Sequence, residues 1–242
     1  MLATLHRQGV RLWGGPSWSP LQKFAHPLVK LIDFSPNERY LVTWSNEPIM
    51  IPEGAPQGPQ YLSHEDEGNS IAVWDIKTGN LLRTFPSVNT PGPSSVDGPG
   101  STKKQQMQWP ALKWSADDRY VARVTPGQHI SVYELPGMGL LDKKSIKIDG
   151  VVDFEWRPIG DRDREEAEKE TKGDAGGSKG KKPKENMLAY WTPEVGNQPA
   201  RVSLMSIPSR TVLRSKNLFN VSEVSSFSFH ARGRLRMVRS HE

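Results

Sequence analysis

Four short stretches of this 242-residue chain repeat one pattern, alternating residues closed by a large one. They are Val10-Arg11-Leu12-Trp13, Ile71-Ala72-Val73-Trp74, Ile130-Ser131-Val132-Tyr133 and Val202-Ser203-Leu204-Met205. Period-two alternation with β-branched and aromatic residues predicts strands. Asp75-Ile76-Lys77-Thr78-Gly79-Asn80 then supplies a turn into Leu81-Leu82-Arg83-Thr84-Phe85, so the repeated object is a hairpin. A second pattern interleaves with the first: Ile32 to Thr43 matches Leu112 to Arg123 position for position, each reading strand, polar turn, strand. The turns Ser35-Pro36-Asn37-Glu38-Arg39 and Ser115-Ala116-Asp117-Asp118-Arg119 carry side-chain oxygens suited to bonding the turn backbone. A weaker third copy starts at Val152-Asp153-Phe154-Glu155-Trp156 and resumes at Met187-Leu188-Ala189-Tyr190-Trp191, and a poor fourth starts near Val224.

Four-stranded antiparallel units in tandem predict an all-β chain of the WD-repeat-like β-propeller type, with about three to four blades. A β-sandwich would not produce matched copies. Trp13, Trp74 and Tyr133 stand 61 and 59 residues apart, beyond the roughly 40–45 of a compact blade. The excess falls in long loop insertions, 46–69, 86–108 and 161–186. The third holds seven acidic and eight basic residues up to Lys184 with almost nothing apolar, and it is expected to be a disordered hairpin loop. The first blade is expected to open at its third strand with two strands missing, so a ring cannot close, and the chain reads as a piece of a longer one. Residues 1–222 form the partial propeller. Residues 223–242 form an atypical basic tail that a frame or exon error near 223 would explain.

Composition excludes several functions. Gly 21 and Pro 20 favour many short elements, and Cys 0 removes disulfides and thiolate zinc sites and favours a cytosolic or nuclear setting over secretion. No apolar run approaches the roughly 18 residues of a membrane span. The net charge is +5, but residues 201–242 hold eight basic and two acidic residues, which leaves residues 1–200 at −1. The basic excess therefore belongs to the tail and is no sign of a phosphate-binding body. His64-Glu65-Asp66-Glu67 is the densest metal-like cluster, yet it sits in a Pro/Gly-rich insertion without a second spaced His, so it reads as a solvated loop. Gly180-Lys181 lacks the upstream Gly and the following Ser/Thr of a phosphate loop. No Gly-x-Ser-x-Gly elbow occurs, and the six His are scattered. Asn220-Val221-Ser222 is a formal glycosylation acceptor with no secretory context. No enzyme, cofactor or metal is expected.

Gly9 to Gly15, Leu31 to Pro36 with Glu38 to Thr43, Ile71 to Ile76, Trp109 to Ser115 and Asp153 to Trp156 form an ordered set across three blades. That set resembles the propeller of the b subunit of eukaryotic translation initiation factor three, in register from about residue 1 to 222. The resemblance implies a non-catalytic, cytoplasmic scaffold that supports preinitiation-complex assembly on the small ribosomal subunit and messenger RNA recruitment. Its implied partners are the other subunits of that factor and the small ribosomal subunit, with messenger RNA contacted indirectly and no membrane. Within the 242 residues no stretch carries the aromatic strand motif of an RNA-recognition motif. A general WD-repeat adaptor of another complex is the alternative, since fold does not fix function.

Trp13, Trp74, Trp114 and Trp156 occupy repeated strand positions and are expected in the core. Trp18, Trp44, Trp109 and Trp191 lie nearer strand ends or loops, and a partner or RNA contact is sought among them, at Trp44 and Trp109 first. The run Lys179, Lys181, Lys182 and Lys184 is the other candidate contact, with a solvated loop as its plain reading.

Overall fold

A computed structural model describes residues 1–87, 109–158 and 185–219, together with the strands at 89–90, 106–107, 224–229 and 235–239. The chain forms two compact units, Met1–Leu112 with Glu134–Gly139, and Lys113–Tyr133 with Leu140–Glu242. In the first unit β1 (Leu2–His6), β2 (Gly9–Gly14) and β3 (Ser19–Phe24) make a three-stranded sheet, while β4 (Val29–Phe34), β5 (Tyr40–Ser45), β6 (Ile71–Asp75) and β7 (Leu81–Phe85) make a four-stranded one. A short pair, β8 (Asn89–Thr90) and β9 (Gln106–Met107), follows. In the second unit β10 (Lys113–Trp114), β11 (Tyr120–Thr125), β12 (His129–Glu134) and β13 (Gly139–Leu140) run in order, with β14 (Ile146–Lys147) also on β12. Next come β15 (Asp153–Trp156), β16 (Asn186–Thr192), β17 (Ala200–Ile207) and β18 (Val212–Leu218), then the pair β19 (Val224–Phe229) and β20 (Leu235–Arg239).

The fold class is therefore all-β and propeller-like, with sheets of three to five antiparallel strands in blade order. The two matched turns are the same structure twice. Ser35 Oγ accepts the Arg39 and Tyr40 amides, both at 3.1 Å, and Ser115 Oγ accepts the Tyr120 amide at 2.9 Å. Glu38 and Asp118 take matching left-handed backbone, φ 54° and 57°. Strand alternation fills the cores: Val10 and Leu12 of β2 are buried with Phe24, Leu41, Ala72 and Trp74 in the first unit. Ile130, Val132, Phe154, Trp156, Leu188 and Met205 do the same in the second.

Two features differ from the sequence reading. The first sheet holds three strands where two were expected, because β1 pairs along its whole length with β2. Its Leu-Ala-Thr-Leu-His sequence is mostly exposed and carries no buried alternation to betray it. The 46–69 insertion is built into the core: Ile49 and Leu62 are 4% and 6% exposed within the first unit's apolar cluster. Its base is tied by Ile49 N–H to Asn69 O at 2.7 Å and Gly68 N–H to Ile49 O at 3.1 Å. Leu62→Ala is expected to lower the stability of that unit by about 2–3 kcal/mol, read from the denaturant midpoint; a neutral substitution would return the loop to the solvent. The poor fourth copy near Val224 pairs as β19 with β20, and Phe229 packs against the small cluster of Ala189, Trp191 and Val202. Of the 161–186 insertion, residues 161–184 lie outside the described residues. Glu185 and Asn186 are structured: Glu185 accepts hydroxyls from Ser206 and Ser209, and Asn186 begins β16.

Candidate binding surfaces

The first unit buries a titratable group that the scattered histidines of the sequence did not single out. His26, 1% exposed, lies between β3 and β4, and its Nδ1 is 2.7 Å from Thr43 Oγ1 on β5. The same Thr43 oxygen accepts the indole N–H of Trp74 on β6 at 2.9 Å. Two strands and a loop are thereby pinned through one hydroxyl. The second ring nitrogen, Nε2, is buried with no hydrogen-bond partner. Burial without compensation lowers the His26 pKa from 6.5 to about 4, so the ring is neutral at pH 7. A Trp and a Thr on adjacent strands, with a His just before the sheet, was the available signal.

The His64–Glu67 cluster is a folded turn in which the Asp66 and Glu67 carboxylates accept hydrogen bonds from the protein. His64–Asp66 is one turn of 3-10 helix, and Asp66 Oδ2 accepts the Ser63 amide at 2.8 Å and its hydroxyl at 2.9 Å. Asp66 Oδ1 takes the Thr84 hydroxyl at 2.7 Å. Glu67 Oε1 accepts the Ile51 amide and faces His64 Nδ1, each at 3.1 Å. The Ile51 bond, then the His64 contact, holds the Glu67 carboxyl below its usual range. The Thr84 bond lashes the insertion to β7.

In the second unit Lys113 of β10 gathers four acceptor atoms. Its Nζ donates to Asp153 at 2.9 and 3.1 Å, to Phe154 O at 2.8 Å and to Glu155 at 3.2 Å. Burial pushes the Glu155 carboxyl up, and the Lys113 charge opposes that push. The Trp156 indole N–H closes the cluster on Lys113 O at 2.8 Å. Elsewhere in this unit a cavity of about 390 Å³ opens between the 148–150 turn and the β16–β17 hairpin, lined among others by Ile148, Asp149, Tyr190, Thr192, Gln198 and Arg201.

The tryptophans divide differently from the repeat positions. Trp74, Trp114 and Trp156 are buried at 0%, 8% and 6%, but Trp13 is half-buried on the opposite face of β2 from Val10 and Leu12. Trp191, at 6% exposed, is a core residue, and Trp18, at 62%, is the exposed one. Trp44 is half-buried with its indole N–H on Ser87 Oγ at 3.2 Å, and Trp109 is half-buried before a cis Pro110. Lys179, Lys181, Lys182 and Lys184 lie outside the described residues.

No protein-family model matches the chain. The B subunit of eukaryotic translation initiation factor 3 from Mycosarcoma maydis is 58% identical over 223 residues, which take in 92% of this chain and 28% of that protein. The Neurospora crassa protein of the same name is 53% identical over 223 residues, 92% of this chain and 27% of its own length. A crystal structure of a eukaryotic initiation factor shares the fold, with a TM-score of 0.62 over 98% of this chain and 46% of that one, at 21% identity. The chain spans little more than a quarter of the length of the curated relatives it matches. Identity above one half, sustained along 92% of this chain, makes it similar throughout to one segment of the B subunits of eukaryotic translation initiation factor 3.

Proposed function

We propose that this chain serves as a non-catalytic scaffold in the cytoplasmic initiation factor 3 complex, supporting preinitiation-complex assembly on the small ribosomal subunit and messenger RNA recruitment. The identity of 58% over 92% of the chain to a protein of that name carries the reading. The clusters of the two units support a structural role, since His26, Asp66, Glu67 and Lys113 all engage polar groups inside their own unit. Its partners are the sister subunits and the small ribosomal subunit. Immunoblotting of a sucrose gradient of native lysate, with an antibody to residues 112–135, tests this. Co-sedimentation with the small subunit is the expected result, and signal confined to the top of the gradient withdraws the role.

Trp44 and Trp109 are the proposed aromatic contacts, and Lys179, Lys181, Lys182 and Lys184 the proposed phosphate contacts. Replacing the four lysines by Gln is expected to lower the salt dependence of association by about 0.7–0.9 in log–log slope for each phosphate left unneutralised. An unchanged slope removes the lysine run from the interface. Trp109→Ala that co-sediments like the parent removes that residue in the same way.

A further inference from the structure

The basic excess of the C-terminal segment conceals a second basic element at the other end. Residues 1–32 contain Arg7, Arg11, Lys23 and Lys30 and not one Asp or Glu. The first sheet concentrates three of these cations. A cavity of about 320 Å³ at the β1–β2 turn is lined by His6, Arg7, Gln8, Gly9, Arg11 and Lys23, with no acid among them. Antiparallel register sets Arg11 of β2 directly opposite Lys23 of β3, and Thr4 of β1 opposite Arg11 on the other side. Like charges directly opposite each other in a sheet cost stability, and among the described residues no carboxylate pairs with Arg7, Arg11 or Lys23.

Local structure holds this arrangement in place. Gly9 has φ 144°, and a Cβ there would lie 2.0 Å from Phe24 O. Only glycine lets the β1–β2 turn approach β3 so closely, which brings Arg7 to the same cavity as Lys23. Thr4 Oγ1 ties the adjoining side chains, at 3.0 Å from His6 Nε2 and 3.0 Å from the Trp13 indole nitrogen that donates to it. His6, Arg7, Arg11 and Lys23 are all exposed, so the charges face solvent at the mouth of a concave surface. An anion with several acceptor oxygens is the complement of such a set, and guanidinium groups suit phosphate in particular.

We propose that the groove of His6, Arg7, Arg11 and Lys23 on the first sheet binds the phosphodiester backbone of RNA. The choice of RNA over an acidic protein rests on the initiation-factor reading above; the groove itself rests on the geometry alone. Contacts of this kind position the chain without reading sequence.

The double variant Arg11→Gln/Lys23→Gln of the full chain tests it against a short polyuridine RNA across a salt series, beside the charge-keeping Arg11→Lys/Lys23→Arg control. Without those two cations, binding to a single strand is expected to show a slope of log affinity against log salt shallower by about 1.4, with the control retaining the parent slope. Removing opposed like charges is expected to leave the denaturant midpoint unchanged or raised. Three results overturn the proposal. One is an RNA affinity and slope that do not change. Another is a lowered midpoint with unchanged RNA binding, which would mean that acids elsewhere in the protein pair with these cations. The third is polyglutamate binding with the same dependence on Arg11 and Lys23, which would assign the groove to an acidic protein segment. A chain that binds polyuridine through these residues but does not co-sediment with the small ribosomal subunit would sink the initiation-factor reading and leave the groove standing.

Discussion

Thr43→Val is expected to destabilise the first unit by about 3 kcal/mol although it changes neither shape nor volume much. The hydroxyl it removes accepts the Trp74 indole N–H and bonds His26 Nδ1, at 2.9 and 2.7 Å, and both partners are essentially without solvent, at 0% and 1% exposed. Each then keeps an unsatisfied polar atom, at about 1–3 kcal/mol apiece. Pairing the change with Trp74→Phe should cost less than the two single losses combined, because the orphaned donor goes with the indole. Additive losses would mean that Thr43 acts through packing instead. The same cluster sets a pH dependence. The folded ring titrates at about 4 against 6.5 for the free group, so between those values the unfolded chain binds a proton that the folded chain does not. Stability is therefore complete above about pH 6.5 and declines as pH falls toward 4, by about 3 kcal/mol at most. His26→Gln should flatten that part of the curve of denaturant midpoint against pH, and an unaltered curve would place the titrating group elsewhere.

The repeats made the sheets legible because strand alternation and turn chemistry are local properties. Ser35 and Ser115 could be matched by eye, and their hydroxyls bond the turn amides as that match required. What stayed hidden depends on contacts between segments far apart in the chain. His26 and Thr43 are separated by 17 residues and Thr43 and Trp74 by 31, so no window shows them as one cluster. The 46–69 insertion is rich in Pro and Gly and carries no strand pattern, yet Ile49 and Leu62 anchor it in the first unit's apolar cluster. Trp13 shared a repeat position with Trp74 but not its burial, since burial is decided by what packs on each face and not by the strand's own pattern. The first-sheet groove is hidden for a related reason: residues 1–200 carry a net charge of only −1, whereas Arg11 and Lys23 become neighbours only through β-register.

Lys113→Met is expected to cost the second unit about 4 kcal/mol, more than a surface ion pair could. Lys113, Asp153 and Glu155 have side chains 13%, 18% and 30% exposed, and one ammonium serves both carboxylates and the Phe154 carbonyl. Methionine keeps much of the stem's volume beside the Phe154 ring, which lies 5.5 Å from Nζ, but leaves two like charges in a poorly solvated place. Removing those charges as well, in Lys113→Met/Asp153→Asn/Glu155→Gln, should recover most of the loss, as replacing all members of a buried ion cluster commonly does. The deficit also has a predictable pH dependence. Burial already raises the Glu155 pKa with Lys113 present, and without that cation the folded state holds the proton to still higher pH. A carboxyl whose folded pKa is raised is tolerated best when protonated, so its penalty grows as pH rises through that value and shrinks as pH falls. The gap in denaturant midpoint between variant and parent should accordingly be widest near neutrality and narrow toward about pH 5, close to the ordinary carboxylate range. Comparing variant with parent at each pH cancels the opposite trend contributed by His26. A gap that is constant across that range would mean that the ionisation of Glu155 does not carry the loss.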